Sequence, residues 1–496
     1  MSKLSDGVSS SRMRILSKTN MHYSQFIAGQ FKSGSSTSTF SVENPSDGQL
    51  LGQYLFASAT DVQEAITAAT DVFTTWRKTS GLERSNLLRR VALIMRERKV
   101  TIANQISLEL GKPNAEALKE VDTAAEMFDW AAEEARRIYG RSIPSRTSGT
   151  TQTVFMEPIG PVGAFSGWNA PAITPSRKIS SALAAGCTVV LKPSEETAGV
   201  ALLIAQAVQD AGIPNGVVNM LFGDPGQIAE LMCASPEIAM VTFTGATSIG
   251  KSIGAKAGLT MKRAVLELGG HAPVIVCSDV DIDRVVNMAV ATKFRNAGQV
   301  CTSPTRFYVD AMIFDEFSTK FVSATQALRV GNPFDTSTQM GPLKNQRRVD
   351  AVDRMVEDAR ARGIEIATGG QRIKRDGFFY EPTVILNPGH SCDAAHIEPF
   401  GPIALLSSFE TLDEAIAEAN RLPFGLAAYA FTRDLHRAHR LMHEIDSGVV
   451  CINEWQASLP ETPFGGHKDS GLGTEGGIEG LQAFLKTKCV RQGASQ

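Results

Sequence analysis

The sequence predicts an α/β protein with two domains, and three observations support this prediction. The chain has 496 residues, which exceeds the usual size of one domain and predicts two or three. From residue 159 onward, short apolar runs alternate with helical stretches, a pattern typical of βαβ units and parallel sheets. A second alternation of the same kind extends from about residue 272 to 453.

The N-terminal part predicts one short strand followed by helices. Residues 26–31 are strand-like, and further helix is expected to about residue 139. Residues 150–155 are rich in β-forming side chains and predict an extended ribbon that leaves the domain body. The first helix is indicated by apolar residues at helical spacing after a start signal at Thr60 and Asp61: Val62, Ile66, Ala69, Phe73 and Trp76.

The two alternating regions contain the predicted strands of the sheets. The strand candidates of the first region are 162–165, 188–191, 217–222 and 241–244. Those of the second region are 274–277, 307–309, 404–407 and 449–452. The glycine-rich residues 268–270 lie near the predicted junction of the two domains.

Composition and charge exclude several classes of protein. The chain is 43% hydrophobic with a formal net charge of -3, so we expect neither a nucleic-acid partner nor an anionic membrane partner. No apolar run approaches the roughly 18 residues of a membrane span. The seven cysteines are scattered without metal-ligand spacing, which indicates free thiols, no metal site and a cytoplasmic protein. The Ser- and Lys/Arg-rich first ~22 residues favour a flexible tail, but a transit peptide to an organelle matrix stays open.

Three residues could carry covalent chemistry, although each also has a structural interpretation. Cys301 follows a glycine in FRNAGQVCTSPTR (294–306); a nucleophile needs a base or a lowered pKa, and a lone cysteine is more often a core residue. Glu267 lies in an apolar run, as either a paired charge or a general base. Asn169 in FSGWNAP (165–171) is either a loop cap or an oxyanion-hole donor.

A glycine-framed turn could bind a phosphate. In FTGATSIG (243–250), Gly245 and Gly250 flank a strand-to-helix turn whose backbone N–H groups could approach an anion at the helix N-terminus. The stretch is not a GxGxxG fingerprint, so an ordinary glycine turn remains the alternative. A thiol, a carboxylate, an amide and a phosphate turn together describe oxidation of an aldehyde through an enzyme-bound thioester.

The chain resembles the aldehyde dehydrogenase superfamily from about residue 25 to 492. The resemblance rests on motifs in family order: WNAP (168–171), GCTVVLKPSE (186–195), FTG…G (243–250), ELGG (267–270), GQVC (298–301), EPFGP (398–402), Asn453 and PFGGHKDSGLG (463–473). It implies that Cys301 attacks the aldehyde carbon and that the Asn169 amide and the Cys301 backbone N–H hold the oxyanion. Glu267 would then activate water to hydrolyse the thioester.

The resemblance also implies a dinucleotide cofactor. Glu195 would accept a hydrogen bond from a ribose 2′-hydroxyl and repel a 2′-phosphate, which favours NAD, with NADP possible. The cofactor-binding residues implied by the resemblance are Lys192, Glu195, Gly245, Gly250, Glu398, Phe400 and Trp168.

Three residues match the carboxylate-binding positions of succinate-semialdehyde dehydrogenases: Arg177, Arg295 and Ser458. Two guanidiniums and a hydroxyl make a suitable anchor for a carboxylate. We therefore expect succinate semialdehyde or a bulkier carboxylated relative as substrate. The alternative is that Arg177 lies on a solvated helix face and Arg295 in a structural ion pair.

Four positions depart from the family pattern. Gly167 replaces a proline and loosens the loop of Asn169, whereas Ala170 replaces a bulky side chain and widens the tunnel. Ala246 replaces a hydroxyl residue in the phosphate turn. Ser303 replaces a second cysteine, so the nucleophile has no disulfide partner there.

The implied fold has a Rossmann-like cofactor domain, an α/β catalytic domain and a β-strand oligomerisation arm. The predicted boundaries are a tail (1–24), an NAD-binding domain (25–139 and 159–267), a catalytic domain (268–480) and the arm (140–158 and 481–496). Exposed strands of such an arm pair with another subunit, so a homodimer or homotetramer is expected.

Three alternative functions remain. The enzyme could be a broad aliphatic or aromatic aldehyde dehydrogenase, with Ala170 and Trp455 shaping an apolar tunnel. It could also be a cofactor-independent thiol esterase or a non-catalytic paralogue, although either would leave the cofactor motifs or the catalytic residues without a role.

Overall fold

The computed structural model describes residues 22–493 of the chain. The described strands are β1 (Gln25–Ile27), β2 (Gln30–Lys32), β3 (Thr39–Glu43), β4 (Leu50–Leu55), β5 (Arg141–Ile143), β6 (Thr151–Pro158), β7 (Val162–Phe165), β8 (Val189–Lys192), β9 (Val218–Met220), β10 (Met240–Thr244), β11 (Arg263–Glu267), β12 (Ala272–Val276), β13 (Pro304–Asp310), β14 (Ile366–Thr368), β15 (Thr383–Leu386), β16 (Ile403–Phe409), β17 (Phe424–Gly425), β18 (Ala427–Phe431), β19 (Val449–Ile452), β20 (His467–Lys468), β21 (Gly471–Leu472) and β22 (Leu485–Gln492). The described α-helices are α1 (Ala59–Trp76), α2 (Gly81–Glu97), α3 (Lys99–Leu110), α4 (Asn114–Glu134), α5 (Ile173–Ala185), α6 (Ala198–Asp210), α7 (Pro225–Ala234), α8 (Thr247–Leu259), α9 (Ile282–Phe294), α10 (Phe314–Gln326), α11 (Gln346–Ala361), α12 (Leu412–Asn420), α13 (Leu435–Glu444) and α14 (Gly477–Gln482).

The first large sheet has the strand order β2-β1-β9-β8-β7-β10-β11-β21. Its five central strands, β9-β8-β7-β10-β11, pair in parallel. Counted from β7 along the chain, this is the order 3-2-1-4-5 of dinucleotide-binding sheets. In such sheets the ligand crevice lies at the carboxyl ends of the strands, where the order reverses. The reversal here lies between β7 and β10.

Both faces of this sheet are buried, which explains its continuous apolar strands. Val189 and Leu191 of β8 pack into one core cluster, and Val190 between them packs into another on the opposite face. Strands buried on both faces are apolar at every position rather than at alternate ones. The predicted α/β fold with a Rossmann-like domain is therefore confirmed.

The second large sheet has the strand order β14-β15-β16-β13-β12-β18-β19. Its six strands from β15 to β19 in that order pair in parallel, and β14 joins the edge antiparallel. Val274 and Val276 of β12 face one core cluster, whereas Ile275 faces a second. This sheet is thus also covered on both faces.

The N-terminal strand prediction is wrong in detail, because residues 26–31 form two strands joined by a tight turn. β1 pairs antiparallel with β2, and Phe26 lies opposite Phe31. The turn contains Ala28 at φ 52° and Gly29 at φ 77°. A Cβ on Gly29 would lie 2.1 Å from Asn215 Oδ1, so only glycine fits this close approach. The four apolar residues Phe26, Ile27, Ala28 and Phe31 obscure this turn in the sequence.

A three-stranded sheet projects from the body of the molecule, in the order β22-β6-β5. β22 pairs antiparallel with β6 over eight residue pairs, from Leu485 opposite Pro158 to Gln492 opposite Thr151. Every residue of β22 except Leu485 is exposed. The other edge of β22 has no neighbouring strand among residues 22–493.

The C-terminal part of the chain returns to the first sheet. β21, which lies in the range predicted for the catalytic domain, pairs antiparallel with β11, and Glu267 lies opposite Gly471. The predicted tail and the last residues of the predicted arm lie partly outside residues 22–493. Within that range, none of the helices has the length and apolarity required to cross a bilayer.

Candidate active site

A cavity of about 930 Å³ opens at the carboxyl ends of β7, β8, β10 and β11. This is the edge at which doubly wound sheets bind ligands. Twelve of the predicted site residues line it: Trp168, Asn169, Arg177, Lys192, Glu195, Gly245, Glu267, Arg295, Cys301, Glu398, Phe400 and Ser458. Residues that are up to 290 positions apart in the sequence, Trp168 and Ser458, therefore share one cavity.

Gly250 is the exception, because it lies inside the first turn of α8 and not on the cavity wall. A Cβ at this position would lie 2.1 Å from Leu268 Cδ2. The glycine therefore allows α8 to pack closely against the end of β11, and it affects the phosphate turn only through this packing.

Cys301 follows a backbone segment in an unfavourable conformation. Asn296 (φ 49°), Ala297 (φ 53°) and Gly298 (φ 72°) are three consecutive residues in the left-handed region. Non-glycine residues in this region cost about 1–3 kcal/mol each and persist only where contacts hold them. The Asn296 Nδ2 donates to Gln299 O at 3.1 Å, and the Gln299 Nε2 donates to Asn296 O at 3.0 Å. Hydrogen bonds from its own side chains thus stabilise the unusual backbone conformation of this segment.

The thiol of Cys301 is half-buried and faces several charges. Burial raises its pKa above that of a free cysteine, and the nearby Glu267 and Glu398 carboxylates raise it further, whereas Arg177 lowers it. These surroundings therefore favour the thiol over the thiolate. A nucleophilic role requires a base or a bound cation to remove the proton.

Asn169 lies in the loop after β7 and directs its side-chain amide towards the cysteine segment. Its Nδ2 donates to Gln299 O at 3.2 Å. The same carbonyl accepts from Asn296 Nδ2, so it holds both loops. Gly167 leaves space beside Asn169, because a Cβ there would lie 3.2 Å from Asn169 Oδ1.

Glu267 ends β11 and is 4% exposed. Its Oε2 accepts a long bond from Thr244 Oγ1 at 3.4 Å, and its Oε1 has no hydrogen-bond partner within residues 22–493. Burial, and then repulsion by Glu475, raises the pKa of Glu267 to about 8. A carboxyl with a pKa in this range can act as a proton acceptor near neutral pH.

Two charged residues beside Glu267 were not identified from the sequence. Lys178 on α5 forms a buried ion pair with Glu475, and Thr242 Oγ1 donates to Glu475 at 3.0 Å. Burial opposes ionisation of Glu475, but Lys178 outweighs it and holds the pKa of Glu475 below its usual range. Their proximity arises from the pairing of β21 with β11, which no local motif could reveal.

Arg177 is a buried guanidinium without an acidic partner among residues 22–493. It is 5% exposed, its Nη2 donates to Ser458 Oγ at 2.6 Å, and its guanidinium lies 4.8 Å from the centre of the Phe464 ring. Its Nε has no hydrogen-bond partner in the described part of the chain. The side chain thus does not lie on a solvated helix face.

Arg295 is exposed at the end of α9 and lines the cavity. Within residues 22–493 no carboxylate lies within ion-pairing distance of it, although it lowers the pKa that burial gives Glu116. Arg177, Arg295 and Ser458 therefore line one cavity, in which Arg177 is buried and Arg295 is exposed. An anionic group of a ligand would supply the missing partner.

The opposite end of the cavity has features that fit a dinucleotide. α8 begins after Ala246 without a side-chain cap, so its first N–H groups remain available to an anion. A Cβ on Gly245 would lie 2.6 Å from the Phe243 ring, which keeps the backbone of this turn bare. Lys192 and Glu195 form an ion pair at the end of β8.

The residues Glu398 and Phe400 lie between this end and Cys301. The Gly270 N–H donates to Glu398 Oε1 at 3.2 Å, and burial raises the pKa of Glu398 to about 7. The Trp168 and Phe400 rings meet edge to face with centres 5.4 Å apart. A Cβ on Gly269 would lie 2.7 Å from Glu398 Oε2, so this glycine allows the carboxylate to approach.

The sequence model described as "Aldehyde dehydrogenase family" matches residues 31–490. The chain belongs to the aldehyde dehydrogenase family. The putative 4-(hydroxymethyl)benzenesulfonate dehydrogenase TsaD2 of Comamonas testosteroni is 43% identical over 463 residues, which cover 93% of this chain and 96% of that protein. The succinate-semialdehyde dehydrogenase [NADP(+)] GabD of Escherichia coli is 37% identical, with 95% and 98% covered.

Solved structures agree with this assignment. The succinate-semialdehyde dehydrogenase of Burkholderia pseudomallei matches with a TM-score of 0.93 at 37% identity, covering 95% of this chain and 98% of that chain. The betaine aldehyde dehydrogenase of Staphylococcus aureus in complex with NAD+ matches with a TM-score of 0.94 at 31% identity, covering 98% of both chains. Members of this family thus include NAD+- and NADP+-dependent enzymes.

Trp455 does not line the cavity of this aldehyde dehydrogenase. It packs against Tyr429 and Phe431 in the core, with ring centres 5.1 and 4.5 Å away. The apolar tunnel expected from Ala170 and Trp455 together therefore lacks one of its walls. In residues 22–493, no group of three or more His, Cys, Asp or Glu residues could hold a metal ion.

Proposed function

We propose that this aldehyde dehydrogenase oxidises an aldehyde that carries an anionic group at its far end, such as succinate semialdehyde. The buried Arg177 carries this proposal, because its Nε lacks a partner and its Nη2 bonds only the Ser458 hydroxyl. A desolvated guanidinium without a carboxylate is costly unless a ligand supplies one. Arg295 adds a second positive charge at the cavity surface.

A sulfonated aromatic aldehyde is the second candidate substrate. The relative named 4-(hydroxymethyl)benzenesulfonate dehydrogenase shares 43% identity with this chain, and its named substrate carries an anion on a ring. Ala170 supports a bulkier substrate, because it lines the cavity with a side chain of one carbon atom. Both candidate substrates carry an anionic group that Arg177 and Arg295 could bind. They differ in the size of the group that separates the anion from the aldehyde.

The proposed reaction uses Cys301 as nucleophile. The Cys301 thiol gives its proton to water, and its sulfur adds to the aldehyde carbon. The Asn169 amide and the Cys301 backbone N–H stabilise the resulting oxyanion, each donor by about 3–4 kcal/mol. A bound NAD or NADP would supply the hydride acceptor that the change from thiohemiacetal to thioester requires. Glu267 then takes a proton from water, which attacks the thioester and releases the acid and the Cys301 thiol.

We propose that the cofactor is preferentially NAD. Gly245, the start of α8 and the Lys192–Glu195 pair would hold the dinucleotide, and Glu398, Phe400 and Trp168 would lie near its nicotinamide half. The Glu195 carboxylate would accept a bond from a ribose 2′-hydroxyl and repel a 2′-phosphate. Gly250 supports the phosphate turn from behind, through its contact with Leu268.

We also propose a homodimer or homotetramer assembled through the arm. The exposed β22 leaves one row of backbone N–H and C=O groups without a strand partner among residues 22–493. Exposed edges of this kind pair with other chains unless they are protected. Light scattering during gel filtration checks this assembly, and a monomer at micromolar concentration would contradict it.

A paired panel of aldehydes tests the proposed substrate class. Succinate semialdehyde is compared with butanal, and 4-formylbenzenesulfonate with benzaldehyde, by following reduced nicotinamide with NAD and with NADP. We expect kcat/KM to be about 10–100-fold higher for the anionic member of each pair, because a hydrogen bond to a charged group contributes about 1.5–3 kcal/mol. Equal values within both pairs would contradict the proposal and favour a broad-specificity enzyme.

A further inference from the structure

Three charged residues next to the proposed active site have no role in the reaction described above. Lys112 precedes α4, and Glu116 and Glu120 lie on successive turns of this helix. All three line the cavity, and Lys112 and Glu120 are 7% and 5% exposed. Residues four apart share one helix face, so this set, here called the α4 clamp, faces the active-site loops together.

Two members of the α4 clamp hold the loop that contains Asn169. The Lys112 Nζ donates to Asn169 O at 3.2 Å, and the Ala172 N–H donates to Glu120 Oε1 at 2.8 Å. Lys112 and Glu120 also form an ion pair with each other. The ion pair therefore holds the loop at two points, Asn169 and Ala172. The backbone just before them is less restricted than in relatives, because Gly167 stands where the family has a proline.

The third member holds the segment that contains the nucleophile. The Asn296 N–H donates to Glu116 Oε2 at 3.0 Å, and Asn296 is the first of the three left-handed residues before Cys301. The Asn296 Nδ2 also donates to Asn169 O at 3.2 Å. Asn169 O thus receives bonds from both Lys112 and Asn296, which joins the two loops at one atom.

We propose that Lys112, Glu116 and Glu120 are positioning residues for the oxyanion hole. The oxyanion hole needs one hydrogen-bond donor from each loop: the Asn169 amide and the Cys301 backbone N–H. Because the three charged residues lie on or next to α4, this one helix fixes the distance between the two donors. This inference rests on the proposed roles of those two donors. Charged groups suit the task, because a hydrogen bond from a backbone group to a buried carboxylate or ammonium is stronger than one between neutral groups.

A purely stabilising role is the competing explanation for these residues. A buried ion pair adds little stability compared with apolar side chains of the same volume, since desolvation offsets its attraction. The backbone contacts of Lys112, Glu116 and Glu120 all lead to the two loops with the proposed donors. If the residues position the oxyanion hole, a variant should slow the reaction without destabilising the fold. If they only stabilise the protein, a variant should lower the stability of the whole fold.

The test compares Lys112→Met and Glu116→Gln with a matched control on the same helix pair. Lys99 of α3 forms a partly exposed ion pair with Asp122 of α4, and neither residue lines the cavity, so Lys99→Met is the control. We expect the first-turnover burst of reduced nicotinamide to slow about 10–100-fold in both clamp variants. The control should retain the wild-type burst, and the NAD dissociation constant should change less than twofold in all three.

Alkylation of Cys301 by iodoacetamide separates positioning from loss of structure, because this displacement forms no oxyanion. Its rate should stay within threefold of wild type while the burst slows. A parallel loss of both rates would overturn the proposal in favour of a structural role. A wild-type burst in Lys112→Met and Glu116→Gln would overturn it directly.

Two further variants cover a folding failure and a failure of the proposed function. Lys112→Met with Glu120→Gln removes both charges of this ion pair, so neither partner is left alone, and it should show the same slow burst. Lys112→Arg keeps the cation and should recover the burst to within about fivefold of wild type. A burst that survives in Cys301→Ala would overturn the role of Cys301 and the clamp with it, whereas a normal burst in the clamp variants alone overturns only the clamp.

Discussion

The two ends of the cavity differ in how their charges are satisfied. At the end assigned to the cofactor, Lys192 pairs with Glu195, and Glu398 accepts the Gly270 N–H. At the end assigned to the substrate, Glu267 Oε1 and Arg177 Nε are buried without hydrogen-bond partners among residues 22–493. Since nearly all buried polar atoms are hydrogen-bonded, exceptions indicate where a ligand completes the site.

The difference also separates binding from chemistry. The Lys192–Glu195 ion pair is formed before a ligand binds. Glu267 Oε1 and Arg177 Nε are buried polar atoms that cost free energy until a substrate or a water molecule forms hydrogen bonds with them. Substitutions at the unpaired end should therefore change rates strongly, and those at the paired end should change selectivity more weakly.

The largest expected effect is that of Cys301→Ala. Turnover of every aldehyde should fall by about 10⁴-fold or more, and the first-turnover burst should disappear, because no other side chain replaces the nucleophile. Binding of NAD, measured by fluorescence titration, should stay within about twofold. Residual turnover at a tenth of the wild-type rate would mean that the cavity does its chemistry without this thiol.

Glu267→Gln should have the next largest effect, on the second half of the reaction. Steady-state turnover should fall about 10²–10⁴-fold, while the burst of reduced nicotinamide survives, because the amide cannot accept a proton from water. A rapid-mixing experiment measures both phases. Loss of both would assign Glu267 to the attack of Cys301 as well, and a cofactor-independent thiol esterase would instead hydrolyse esters without any burst.

The pH dependence of deacylation sharpens this prediction. The base form of Glu267 is the ionised form, and its pKa is raised to about 8 by burial and by Glu475. The rate of deacylation should therefore rise tenfold per pH unit below about pH 8 and level off above it. Glu475→Gln removes the repelling carboxylate, so its midpoint should move to lower pH; an unchanged midpoint would contradict this cause.

Much of the fold was predictable from the sequence, and twelve of the predicted site residues line the cavity, for a physical reason. Strands buried on both faces, such as Val162–Phe165, are continuous apolar runs that a local window detects. The turn at Ala28–Gly29 escaped detection, because no local turn signal accompanies its left-handed backbone. The sequence also placed Trp455 on the tunnel, whereas the structure packs it in the core.

The partners of the site residues were not predictable, because they come from distant parts of the chain. Glu475 reaches Glu267 only through the pairing of β21 with β11. Lys112 reaches Asn169 through the packing of α4 on α5, and its own neighbourhood contains no motif for this contact. Sequence motifs thus indicated which residues could react, and tertiary packing determined the charges around them.

Arg177→Met should produce a smaller, substrate-dependent effect. For succinate semialdehyde, kcat/KM should fall about 10–100-fold, because the anion loses a charged hydrogen-bond donor in a desolvated site. For butanal it should change less than about threefold. Arg284→Met, an exposed substitution on α9 outside the cavity lining, is the control for loss of one positive charge. An equal loss for both substrates would show that Arg177 supports the site and does not bind the anion.

Glu195→Gln should have the smallest effect, at the paired end of the cavity. The substitution removes the charge that would repel a 2′-phosphate and leaves Lys192 free to attract one. We expect the ratio of kcat/KM for NAD to that for NADP to fall about three- to tenfold, chiefly through a lower KM for NADP. Glu230→Gln, which breaks an exposed ion pair with Lys256 outside the cavity lining, should leave the ratio unchanged. If Glu195→Gln also leaves it unchanged, cofactor choice does not depend on this carboxylate, and the paired end would be a structural feature of the cavity rather than a selective one.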